Sequence, residues 1–371
     1  MKKNLVIILF SAVCLILSGW GYKGHRKINQ NTAANFPGKM AFLNPGWTNT
    51  IVLFASEADN RKQTDPNESW RHYIDIDNYP EFVATGKISQ SYDSLVLEHG
   101  GNWVLNQGIL PWATIKTYDS LKACFERGDW IKSALFAADL GHYVADGNQP
   151  LHITRNYDGQ YTGNDGIHSR FESKIVSRYE SLLVCPVDSV QFIGDVRNYV
   201  FTYIYQNYKL VDSIMYADSL AQATAGNYTS DAYYQALWSK CGNYTIGLFH
   251  NSTRSLADLI YTAWVQAGSP VFYPNAIEET AGLNSTRLMQ NYPNPVVNST
   301  LIPIEVARNN TFVSLRIYDA IGNLKATLLN ENMKEGYTEI RWDASEMPDG
   351  IYYCVLKSDD WTSTRKVVVM K

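Results

Sequence analysis

Three of the chain's seven histidines fall in LFAADLGHYVADGNQPLHITRNYDGQYTGNDGIHSRFE, residues 135–172. His142 and Asp146 are four apart, and so are His168 and Glu172. Residues four apart on a helix stand on one face, one above the other. His152 follows Gly147-Asn148-Gln149-Pro150, where the first helix must end because proline cannot continue it. Two helix faces therefore present imidazole–carboxylate pairs, joined by a connection that carries another imidazole. That donor set suits zinc in a hydrolytic site. A lone pair of this kind is ordinary surface chemistry, whereas two pairs and a linking histidine in one short stretch point to a metal.

The elements that must hold these residues follow from the pattern around them. Ile131, Ala134, Leu135 and Ala138 continue the face of His142 and Asp146, so the first helix is expected to be buried. A charged Asp on such a face is costly unless paired or metal-bound. Asp129 is a good N-cap for this helix, and Gly128 closes a preceding helix over 117–127. Gly141 would let another element approach closely. Asp139, three residues before His142, either orients a ligand or lies exposed. Residues 169–183 are expected to extend the helix of His168 and Glu172.

Further ligand types lie upstream. WGYKGH brings His25 close to Trp20, and a helical stretch, LFASEADNR, brings Asp59. His72 sits in ESWRHYID. Residues 26–36 read as helical, as does most of 190–266, with a closing helix over 251–265. His99 and His250 have no metal partner in the pattern and read as structural.

With 371 residues, the chain has room for two or more domains, and 45% hydrophobic residues are ample for a large core. A net charge of −4 excludes a surface that coats polyanions globally. The five cysteines are scattered without CxxC spacing and suggest neither a zinc finger nor a disulfide framework. Met1-Lys2-Lys3 followed by the apolar run from Leu5 to Leu17 reads as a secretory leader, residues 1–19, too short for a membrane anchor. Residues 269–289 read as a linker. Beyond it LIPIEVA, FVSLRIYDA, LKATLLN, TEIRWDA, IYYCVLK and TRKVVVM alternate with turn signals, which predicts a small all-β sandwich over 290–371.

On these residues, 20–268 resembles the superfamily of zinc-dependent phospholipases C and S1/P1 nucleases. WGYKGH, LFASEADNR, WRHYID, LGHYVADGNQPLH and GIHSRFE match its ligand segments in order. The resemblance implies a mainly α catalytic domain holding three zinc ions. One would take Asp59, His72, His142 and Asp146. A second would take His152, His168 and Glu172. The third would take Trp20, through its amine and carbonyl, with His25 and Asp146, so that Asp146 bridges two ions. QNYPNPVVNST, LRIYDAIGN, DGIYYCVL and the KVVVMK end resemble the C-terminal sorting domain of the type IX secretion system.

The expected activity is phosphoric-ester hydrolysis by a zinc-activated water, outside the cell or at its surface, by a monomer. Asp75 is expected to orient or deprotonate the water, Arg61 or Lys62 to contact phosphate, and Tyr73 to stack on a base. WGYKGH and HYID favour a nuclease acting on single strands and 3′-nucleotides. Glu172 and the short connection from His152 to His168 favour a phospholipase C. A non-catalytic surface adhesin is the reading from another class.

Overall fold

The computed structural model describes residues 20–43, 46–271, 286–358 and 361–371. The chain divides into two compact units, one ending at Phe272 and the other beginning at Tyr273. The expected leader and most of the expected linker lie outside the described residues.

The first unit is helical: α1 (Gly21–Thr32), α2 (Gly46–Leu53), α3 (Glu57–Arg61), α4 (Pro80–Thr85), α5 (Tyr92–His99), α6 (Gly101–Asn106), α7 (Leu110–Arg127) and α8 (Trp130–Gly147). There follow α9 (Ile167–Ser169), α10 (Ile175–Tyr179), α11 (Val196–Tyr208), α12 (Val211–Ala225) and α13 (Asp231–Gln266). Gly128 ends α7 in the left-handed conformation, φ 69°, and the Asp129 carboxylate then caps α8 by accepting from Lys132 N–H at 3.2 Å.

Helix α8 is the centre of this unit. Ala145 joins a core with α1, α12 and α13. Ala137, Leu140 and Val144 join a second core with α2, α7 and α13. Tyr143 joins a third, with α4–α6 and α11. Its inner half is therefore covered on every side, and Leu140–Gly147, His142 and Asp146 among them, are all buried. The outer turns behave differently. Ile131 is 80% exposed and Leu135 36%, against the expectation that they continue the buried face. The outer turns are covered on one side only, by way of Ser133, Ala134, Ala137 and Ala138, and Ile131 and Leu135 lie outside that cover.

Other helices depart from their expected bounds: α1 runs over Gly21–Thr32 rather than 26–36, and α7 begins at Leu110 rather than 117. The stretch over 53–61 is broken between α2 and α3, which frees the turn at Ala55. Residues 169–183 are not one helix but a π-helical turn, Arg170–Lys174, followed by α10 and a 3₁₀ turn. The closing helix, expected over 251–265, spans 36 residues.

The second unit is a sandwich of antiparallel strands. One sheet has the order β1 (Arg287–Leu288), β2 (Ser299–Val306), β5 (Gly336–Asp343). The other has the order β4 (Leu324–Met333), β3 (Thr311–Asp319), β6 (Gly350–Ser358), β7 (Trp361–Val369). Alternate residues face inward, as a strand's period of two requires, so Leu315 pairs with Leu356 and Ile317 with Cys354 inside one core. Leu288 falls within the expected linker, yet it is buried in this core opposite Ile304. Cys124, Cys185, Cys241 and Cys354 are free thiols.

Candidate metal centre

The break after α2 sets Asp59 on α3, facing α8. A 3₁₀ turn, Ser69–His72, brings His72, and another, Pro150–His152, brings His152. α8 supplies His142 and Asp146, α9 His168, the π-helical turn Glu172, and α1 His25. Every one of these side chains is buried. Single π-helical turns are rare and concentrate at functional sites.

Asp59 Oδ1, His72 Nδ1, His142 Nε2 and Asp146 Oδ2 converge from α3, the first of these 3₁₀ turns and α8. His72 Nδ1 is 3.0 Å from Asp146 Oδ2, 3.1 Å from His142 Nε2 and 3.6 Å from Asp59 Oδ1. His142 Nε2 is 3.4 Å from Asp146 Oδ2 and 3.6 Å from Asp59 Oδ1. Ligands 2.0–2.2 Å from a tetrahedral zinc stand about 3.3–3.6 Å apart. Three of these five separations fall in that range, and the other two, 3.0 and 3.1 Å, are a few tenths of an ångström shorter.

A second group joins His152 Nε2 and His168 Nε2 to Glu172 Oε2, at 3.3 and 2.6 Å. The free oxygen of Asp146, Oδ1, lies 3.6 Å from His25 Nε2 and 3.7 Å from His152 Nδ1. Asp146 thus reaches toward His25 with one oxygen and toward His72 and His142 with the other. His25 also stacks on His142, ring centres 3.8 Å apart, and groups with Asp59 as well. Trp20 is buried against Phe171 and Phe249, and its indole donates to Ala145 O at 2.9 Å. That bond ties the start of α1 to the residue before Asp146.

Backbone carbonyls fix three of the imidazoles. His142 Nδ1 donates to Ala55 O at 2.9 Å, His152 Nδ1 to His72 O at 2.7 Å, and His168 Nδ1 to Tyr157 O at 3.1 Å. Each leaves its Nε2 lone pair facing the cluster, which is how ligand histidines are usually held. The Tyr157 carbonyl is itself on a loop pinned from below. Arg170 donates to the carbonyls of Asn164 and Asp165 and pairs with Asp218 at 2.9 Å, with Arg170, Asn164 and Asp218 nearly out of solvent.

Burial is the largest influence on these groups. It drives the His25 pKa down to about 3, with the charge of His142 adding to the effect. For His142 burial opposes charging, but Asp146 and Asp59 outweigh it and raise the pKa to about 10. Burial also opposes ionisation of Asp59, Asp146 and Glu172, yet the histidines hold all three carboxyls below the ordinary range. Eleven buried side-chain N and O atoms lack a hydrogen-bond partner among the described residues. Five of them are in this cluster: both nitrogens of His25, His72 Nε2, His168 Nε2 and Asp146 Oδ1. Buried polar atoms are rarely left so, and a cluster of them among imidazoles and carboxylates fits a bound cation.

The remaining predicted residues are placed as follows. Lys62 Nζ lies 2.7 Å from Asp59 Oδ1. Arg61 is held by Asp139 at 2.9 Å, Glu68 at 3.3 Å and Tyr143 Oη at 3.3 Å. Asp139 therefore reaches the site through Arg61. Tyr73 is half-buried, its hydroxyl donating to Asn106 O at 3.4 Å. Asp75 is half-buried, and burial, with Asp77, raises its pKa to about 7. His99 pairs with Glu81 at 3.1 Å and His250 with Asp188 at 2.6 Å. Glu68 was not singled out by sequence, although it stands four residues before His72 and is wholly buried.

Residues 290–370 match the family model of the secretion system C-terminal sorting domain. That part of the chain is a sorting domain. The protein is accordingly a secreted one, and among the described residues no helix is long and apolar enough to cross a membrane. Over 206 residues the chain is 24% identical to a probable serine protease of Bradyrhizobium tropiciagri, a match that covers 47% of this chain and 26% of that protein. Among solved structures it is similar to the alpha toxin of Clostridium absonum, at 12% identity and TM-score 0.42 over 96% of this chain and 97% of the other. It is also similar to the alpha-toxin of Clostridium perfringens, at 10% identity and TM-score 0.44 over 95% and 98%.

Proposed function

We propose that this secreted chain is a zinc-dependent phosphodiesterase that hydrolyses single-stranded nucleic acids and nucleoside 3′-phosphates, exported by the type IX machinery. The observation that carries the reading is the buried group of Asp59, His72, His142 and Asp146, whose donor atoms converge at 3.0–3.6 Å, close to the spacing of ligands around a tetrahedral zinc. In this reading His152, His168 and Glu172 hold a second ion, and Trp20, His25 and Asp146 a third. Zinc in such sites supplies Lewis acidity toward phosphoryl oxygens and lowers the pKa of water that it holds.

The chain's own groups do the rest. Ala55, His72 and Tyr157 carbonyls keep the ligand imidazoles in the tautomer that offers Nε2. Asp75, whose pKa burial and Asp77 bring to about 7, takes and returns a proton near neutrality. Tyr73 and Tyr157 are only partly covered and offer aromatic faces, and stacking on a base is worth roughly 1–3 kcal/mol.

A zinc-dependent phospholipase C is the second reading, favoured by Glu172 and the short connection from His152 to His168. A serine hydrolase needs a serine hydroxyl on a histidine, and among the described residues no such hydrogen bond occurs. An adhesin has no use for unpartnered buried imidazoles. The deciding experiment compares single-stranded DNA, RNA, 3′-AMP and phosphatidylcholine with the zinc-loaded full chain. Turnover of the nucleic acids and of 3′-AMP is expected. Turnover of phosphatidylcholine alone replaces the nuclease reading with the phospholipase one, and zinc binding without any turnover overturns both.

A further inference from the structure

Three histidines of the cluster turn Nδ1 away from it, onto a backbone carbonyl, and offer Nε2. His72 is the reverse. Its Nδ1 faces Asp146 Oδ2, His142 Nε2 and Asp59 Oδ1 at 3.0–3.6 Å. Its Nε2 faces no backbone carbonyl but a carboxylate, Glu68 Oε1, at 3.4 Å. That separation is longer than an ideal hydrogen bond, and Nε2 has no hydrogen-bonded partner.

Glu68 has no exposed surface, so its charge must be met from inside the protein. Arg71 Nη1 donates to Oε2 at 2.8 Å, Arg61 Nε lies 3.3 Å from the same oxygen, and the Tyr143 hydroxyl donates to Oε1. Two guanidiniums and a phenol thus fix the carboxylate against the back of one imidazole. A neutral imidazole carries a single N–H, and a carboxylate beside one nitrogen draws the proton there. The other nitrogen then has its lone pair free.

We propose that Glu68 is a positioning residue for His72. It holds the ring's proton on Nε2 so that Nδ1, rather than the Nε2 that the three carbonyl-held rings offer, is the donor offered to a metal. The inference rests on the zinc reading above. Tyr143, which stands on α8 between the ligands His142 and Asp146, and Arg61, which follows Asp59 by two residues, then belong to the support of the same ring.

The test uses the full chain and the metals alone. Zn²⁺ affinity is measured by competition with a chromophoric chelator, and the visible bands of the Co²⁺-loaded protein report ligand geometry. Removal of such a partner typically weakens metal binding about 10- to 100-fold. Glu68→Gln keeps the volume and the acceptor but not the charge. It is expected to weaken one ion by that factor and to shift the Co²⁺ bands, with the other ions held as in the wild type. Wild-type affinity and bands in Glu68→Gln overturn the proposal. A wild-type chain that takes up no Zn²⁺ overturns the zinc reading itself, a different failure. If Glu68→Gln does not fold, Tyr143→Phe removes only the hydroxyl that orients Glu68. A several-fold loss of affinity in that variant supports the proposal, and an unchanged affinity overturns it.

Discussion

Gly141→Ala tests how closely the site depends on helix packing. A Cβ on Gly141 would lie 2.2 Å from Asn29 Oδ1 on α1 and 2.8 Å from Leu256 Cδ2 on α13. Ordinary contact needs about 3.4 Å, so the neighbours must yield by about 1 Å. Asn29 cannot swing aside freely, because it is buried and its Nδ2 donates to Ile51 O at 2.8 Å. Alanine gains about 1 kcal/mol over glycine in a helix interior. Overpacking costs about 1–3 kcal/mol, and straining a buried hydrogen bond about 1 kcal/mol more. The net expectation is a loss of about 1–3 kcal/mol, or roughly 2–4 °C in Tm for each kcal/mol in a unit of this size. Because His142 is the next residue, the same shift should weaken zinc binding, since ligands must sit within about 0.5 Å of their positions.

Calorimetry of the full chain and chelator competition read the two effects together. The double variant with Asn29→Ala removes the nearer obstacle, so the two substitutions should be coupled by about 1 kcal/mol rather than additive. A rise in Tm for Gly141→Ala alone would mean that helix propensity wins and that α1 does not press on α8. Simple additivity would refute the clash with Asn29 in particular.

The other predictions concern charge. Asp146→Asn should cost more bound zinc, by elemental analysis, than Glu172→Gln, because the two Asp146 oxygens face different histidines; equal losses would refute the bridging role. Arg170→Gln should destabilise by about 3–5 kcal/mol in chemical denaturation, since it leaves Asp218 buried with its charge partner gone; a loss below about 1 kcal/mol would show that the loop before His168 is held otherwise. For Asp75, whose folded pKa of about 7 exceeds its ordinary value, the folded state holds the extra proton. Its favourable contribution is complete below the unfolded value, about 3.9, and is lost as pH rises through 7. Asp75→Asn should therefore gain stability relative to the wild type between pH 4 and pH 8, and a constant difference across that window would show that the carboxyl is not desolvated.

What the sequence shows of this site, and what it hides, has a physical division. Local spacing carries the pairs: His142 with Asp146, and His168 with Glu172, approach because four residues separate them. The strands of the sandwich are legible for the same reason, each side chain's facing being set by its neighbours in register. The exposure of Ile131 and Leu135 is not legible in the sequence, because periodicity gives the face of a helix but not how far along its length that face is covered. The π-helical turn at Glu172 and the break at Ala55 are equally hidden, since both answer to tertiary demands on a carbonyl or a ligand.

Glu68 shows the limit most clearly. Its spacing from His72 is the same four residues that made the other pairs visible, yet the two bracket a 3₁₀ turn, Glu68 just before it and His72 at its end, rather than standing along an α-helix. Alone in sequence, a glutamate between Asn67 and Ser69 is a surface residue by type. What makes it interior is the convergence of Arg61, Arg71 and Tyr143, residues from three elements that only the fold brings together. A buried carboxylate stays charged only with such company, so the partners that hide it from sequence also fit it to hold one imidazole by its back nitrogen.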